Sequence, residues 1–122
     1  MYSELTRRYF ESAARAGVLE GARCFRGSAG SRAQGTWVQF DVQLAPSARS
    51  LEEARFLAFG CPHVIAVSSW VAERASGLEL GARLPESVEA LRERFAVPTE
   101  KLGRLLIIED AWIAALRAAG AG

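Results

Sequence analysis

The clearest pattern in the chain is the stretch TWVQFDVQL, where Val38, Phe40, Val42 and Leu44 alternate strictly with Trp37, Gln39, Asp41 and Gln43. A period of two predicts a strand buried on one face. After the turn APSARS, LEEARFLAFG reads as a second, more apolar strand ending at Gly60, and the short polar link predicts antiparallel pairing. Upstream, residues 2–16 place Leu5, Tyr9, Phe10, Ala13 and Ala16 along a helical face, with Ser3 as N-cap and Gly17 as the stop. Between them the texture predicts only a short strand over residues 22–26, then a flexible glycine- and serine-rich loop, GSAGSRAQG.

Downstream the period lengthens. PHVIAVSSWVAERASG predicts an apolar helix with Pro62 in its first turn and Gly77 as terminator, and PESVEALRERF predicts a second, short helix that ends before Pro98. A last helix is expected over residues 98–119, capped by Thr99 and carrying Leu102, Leu105, Leu106, Ile108, Ile113 and Leu116. A helix, then strands, then helices is the order of an α+β fold: a small antiparallel three-stranded sheet with helices packed mainly on one face. The expectation is a single domain over residues 1–122.

Composition narrows the function classes. The chain is 50% hydrophobic and 24% charged, with 15 basic against 14 acidic residues, a formal charge of +1. Basic residues are scattered, so no nucleic-acid footprint is expected. No apolar run approaches the roughly 18 residues of a membrane helix, and charged residues interrupt the N-terminal stretch where a secretory signal would be apolar. A cytoplasmic protein with two reduced cysteines is the expectation.

The candidate chemistry centres on GCPH. Cys61 falls at a predicted strand-to-helix corner, where unpaired amides favour a thiolate, and His63, the one histidine, is two positions on. A metal site needs three or four ligands, and the available donors are Cys24, Cys61, His63 and carboxylates. Cys61 and His63 are too close in sequence for a hydrolase pair, and the nucleophile elbow, P-loop and dinucleotide fingerprint are absent, so no enzymatic activity is expected. Trp37, Trp70 and Trp112 fall in regular elements and read as packing residues or a partner surface.

Three segments carry a resemblance: the opening YSEL…YF helix, the block EEARFLAFGCPHVIAVSSWVAERASG, and the closing VPTEKLGRLLIIEDAWIAAL. In the middle block Ala54, Arg55, Phe56, Gly60, Cys61, Ile65, Ala66, Ser68, Ser69 and Gly77 fit, and Glu109-Asp110-Ala111 fits in the last helix. The chain resembles the IscU/NifU family of iron-sulfur cluster assembly scaffolds. The resemblance implies a fold that holds a transient [2Fe-2S] cluster or zinc on three cysteines, assisted by an Asp and often a His, with sulfur arriving from a cysteine desulfurase. Only the second cysteine is present, as Cys61. Residues 31–36, where the first cysteine and its Asp should stand, read SRAQGT, and the family's His-Cys pair is replaced by Gly103 and Arg104. The chaperone-recognition motif L-P-P-V-K is matched by Val97, Pro98 and Lys101 as partner-binding candidates.

One thiolate and one imidazole leave a two-iron cluster largely unligated. The resemblance therefore implies a degenerate scaffold that acts as an accessory or regulatory partner in cluster assembly. Two alternatives stand beside it: a persulfide carrier through Cys61, and a metal site built from Cys24, Cys61 and His63.

Overall fold

The structure, a computed structural model, describes residues 2–81 and 83–121. Its sheet is made by β1 (Cys24–Ser31), β2 (Thr36–Leu44) and β3 (Leu51–Phe59), in the order β1-β2-β3 with both pairings antiparallel. Around it lie α1 (Glu4–Glu11), α2 (Pro62–Glu73), α3 (Val88–Arg94), a 3-10 turn over Thr99–Lys101 and α4 (Leu102–Ala118). This is the α+β arrangement the hydrophobic pattern predicts.

The alternation in β2 places the core. Val38, Phe40, Val42 and Leu44 are all buried, and their partners on β3, Ala58, Phe56 and Ala54, share that face. α2 covers β3 and α4 covers β1 and β2, with Trp112 fully buried edge-on to Phe40 at a centroid distance of 5.1 Å. α2 is apolar nearly all round because it lies between the sheet and α1, and its small Ala66, Ser68, Ser69 and Ala72 let those neighbours approach. The opposite sheet face is left to Trp37, Leu57 (37% exposed) and Phe59 (44% exposed) near one end.

Several expectations are corrected. α1 stops at Glu11, well before Gly17, because residues 15–17 are drawn onto the outer edge of β3: the Gly17 amide donates to the Phe56 carbonyl and the Phe56 amide to that of Arg15, at 2.8 and 3.0 Å. β1 is not a short strand followed by a loop. It extends through Ser31, so the first half of the glycine-rich run is strand and only residues 32–35 turn. Thr99 does not cap α4, which begins at Leu102 after the 3-10 turn and has no side-chain cap. Nor is β2 polar-out throughout. Asp41 is 1% exposed, held by the Arg26 guanidinium at 2.7 Å and by the Leu19 amide at 2.8 Å, where the α1–β1 connection crosses the sheet. A buried carboxylate needs such partners.

Candidate functional site

Cys61 occupies the N-cap position of α2, directly after Gly60 at the end of β3. Gly60 has φ of +159°, essentially extended, and its hydrogen points at Val64, where a Cβ would crowd the valine side chain. This turn leaves Cys61 half-buried, with its carbonyl accepting from the Val64 amide at 3.0 Å. Burial pushes the thiol up, but the amides of Val64 and His63, the Arg104 side chain and the Lys101 charge outweigh it, and the thiol lies below its ordinary value. Amides at a helix start favour an anion for the reason sequence analysis anticipates; the two cations come from the far end of the chain.

His63 does not stand ready beside the thiol. It is 3% exposed, packed edge-on against Tyr2 with centroids 4.7 Å apart, and its Nδ1 lies 3.3 Å from Lys101 Nζ. An ammonium has only protons to offer, so Nδ1 accepts and Nε2 carries the hydrogen. Among the described residues that Nε2 has no partner. Burial, Lys101 and Arg104 depress the imidazole to about 4, so it is neutral at physiological pH.

The three segments to which the resemblance assigns ligands lie at one end of the sheet. The Trp37↔Phe59 and Gly30↔Trp37 pairings put the residue 32–35 turn at the same sheet end as Cys61, and Gly30 packs against Ile107 near the start of α4. Arg32 lies over the Phe59 ring at 5.5 Å. At this end of the sheet, where the resemblance implies cysteines and an acid, the chain places Lys101 and Arg104 beside the Cys61 thiol and Arg32 over Phe59. Such a donor set does not fit a cluster or zinc ion: one sulfur, an imidazole facing an ammonium, and cations that repel metal. Among the described residues no group of three or more His, Cys, Asp or Glu side chains is placed to hold a metal ion.

Cys24 is not part of this site. It pairs with Gln43 at the opposite end of the sheet, six positions along β1 from Gly30, about 20 Å at ~3.3 Å per residue. Burial and the Asp41 charge push its thiol up. The trio of Cys24, Cys61 and His63 therefore cannot share an ion within one chain. The chaperone-like candidates divide too: Val97 is buried, Lys101 is engaged with His63, and Pro98 alone is exposed. The Lys101 to His63 contact and the role of Arg104 beside the thiol had no local sequence signal, since 38 positions separate Lys101 from His63.

The family model described as the NifU-like N terminal domain matches residues 1–118. The chain belongs to this family. A relative of this NifU-like chain, "Iron sulfur cluster assembly protein 2, mitochondrial" of Saccharomyces cerevisiae, is 28% identical over 91 residues, covering 75% of this chain and 58% of the relative. The chain thus spans less than two thirds of that protein's length. Among solved structures, a protein of thermophilic Fervidobacterium islandicum AW-1 described as an assembly scaffold for the SUF system superposes with a TM-score of 0.68 at 14% identity, covering 94% of this chain and 96% of its own. A second, a hypothetical protein, gives 0.51 at 18% identity over the same shares. Both show the shared fold. No helix among the described residues is long and apolar enough to cross a membrane.

Proposed function

We propose that this NifU-like chain serves iron-sulfur cluster assembly as an accessory partner that holds no cluster itself, and that Cys61 is its working group, receiving sulfur as a persulfide. The observation that carries this reading is the exchange of a ligand for cations around a preserved thiol: Arg104, at the position the resemblance implies for the third ligand, and Lys101 nearby favour an anionic sulfur on Cys61.

The step is a thiol exchange. The Cys61 thiolate attacks the outer sulfur of a protein persulfide on a cysteine desulfurase; the donor S–S bond breaks, a new S–S bond forms on Cys61, and the donor cysteine leaves as thiolate with the bonding pair. No oxidant is consumed. Thiolate is the attacking species such exchange requires; the Arg104 guanidinium and the Lys101 ammonium lower the thiol's pKa toward it and favour the persulfide anion that results. The chain turns over no substrate of its own in this role, and two free cysteines accord with a reducing cytoplasmic compartment.

Incubation with a cysteine desulfurase and cysteine, followed by intact-mass spectrometry, tests the carrier role. A gain of one sulfur is expected on the wild type and on Cys24→Ser but not on Cys61→Ser; its absence from the wild type sinks the carrier reading. Anaerobic reconstitution with iron and sulfide tests the other half. A stable cluster on the isolated chain, by absorbance and iron count, would return it to the ordinary scaffolds.

A further inference from the structure

The two outer edges of the sheet differ. On β3 the edge is occupied at Phe56 by residues 15–17 and at Leu51 by residues 77–78, through the Gly17, Phe56, Gly77 and Leu51 amides. On β1 it is open. The Leu44 amide donates to the Arg23 carbonyl at 2.8 Å, which with the Cys24↔Gln43 register turns Phe25, Gly27 and Ala29 toward β2 and leaves the backbone groups of Arg26 and Ser28 facing outward. Among the described residues no other segment bonds to them. β1 has no proline and no lysine, and its one charge, Arg26, is drawn back onto Asp41 of β2.

What fits this edge follows from α4 above it. A Cβ on Gly30 would meet Ile107, and one on Gly27 would collide with the backbone of Ala114 and Ala115, so α4 runs along β1 in the opposite sense and touches it at Gly27. We infer that the β1 edge and α4 form a two-fold interface with a second copy of this chain, the dyad passing through Gly27. That dyad joins Arg26 of one copy to Ser28 of the other, amide to carbonyl in both directions, and repeats the exchange across the axis. It sets the two β1 strands ~4.8 Å apart. Each α4 packs on β1 and β2, so the dyad brings the two α4 helices side by side above the paired strands. The small Ala114 sits at their closest approach.

Charge complementarity selects a second copy over any other occupant. Asp110 lies one turn before Ala114 and Arg117 one turn after, both exposed and neither ion-paired among the described residues. Antiparallel helices related by a dyad at Ala114 bring Asp110 of each copy beside Arg117 of the other. The arrangement points the two Cys61 ends away from each other, so the thiols stay accessible and are not shared.

Sedimentation equilibrium on the full chain tests this. The wild type is expected at twice the 13.2 kDa chain mass. Ser28→Pro should return it to one chain mass with an unchanged circular dichroism spectrum, since that amide faces outward and makes no internal bond. Asp110→Arg should weaken association by about tenfold or more, and adding Arg117→Asp should restore it. A monomeric wild type, a dimer that survives Ser28→Pro, or a double reversal that stays as weak as Asp110→Arg each overturns the inference; the first would leave the edge to an extended segment of another protein.

Discussion

At the scale of single residues, two titrations separate the site from its surroundings. The Cys61 thiol lies below its ordinary value with Arg104 and Lys101 among the causes, while burial and Asp41 push Cys24 above its own. The rate of alkylation by iodoacetamide, followed against pH at each cysteine by peptide mass spectrometry, should rise first at Cys61. Arg104→Gln should move that midpoint upward and leave Cys24 where it was; an unmoved Cys61 midpoint refutes the assignment. His63 is depressed to about 4 from an unperturbed 6.5. Between those values the unfolded chain binds a proton that the native chain excludes, so the stabilisation is whole above about pH 6.5 and is lost as the pH falls toward 4. The loss amounts to about 3 kcal/mol. Urea denaturation at pH 7.5 and 4.5 should show a smaller acid loss for His63→Gln than for the wild type; equal losses would place the acid sensitivity elsewhere.

At the scale of elements, what was legible in the sequence is what local pattern alone determines. Val38, Phe40, Val42 and Leu44 announce β2 because a period of two survives only where one face is dry, and Pro62 after Gly-Cys announces the start of α2. β1 was half hidden, since CFRGSAGS has little strand propensity; its strand form is imposed by pairing with β2 and by α4 lying against it. Gly27 records that constraint. Gly27→Ala would drive a methyl into the backbone of Ala114 and Ala115, and the helix can yield only by moving as a body. A loss of about 2 kcal/mol or more is expected from thermal or urea melts. A Gly27→Ala protein as stable as the wild type would mean that α4 is not seated on β1 as described. The premature end of α1 was equally invisible, because residues 15–17 exchange helical hydrogen bonds for bonds to Phe56, a partner some forty positions away.

At the scale of the whole molecule, the family positions were readable one by one: residues 31–36, Cys61, Gly103 and Arg104. Their convergence needed the fold, because it depends on the β1–β2 turn, the β3–α2 corner and the start of α4 reaching one end of the sheet together. The engagement of His63 by Lys101 and Tyr2 belongs to the same class of long-range fact. A second long-range fact, the small pairing of residues 15–17 with β3, bears on more than the length of α1. In the language of polymerisation, a unit with one reactive end can only terminate, whereas a unit with two propagates. By occupying one edge with its own N-terminal connection, the chain has a functionality of one, and association through β1 stops at a pair. Stripped of that connection, the same sheet would become a difunctional monomer, and the interaction that now closes a dimer would instead extend a fibre.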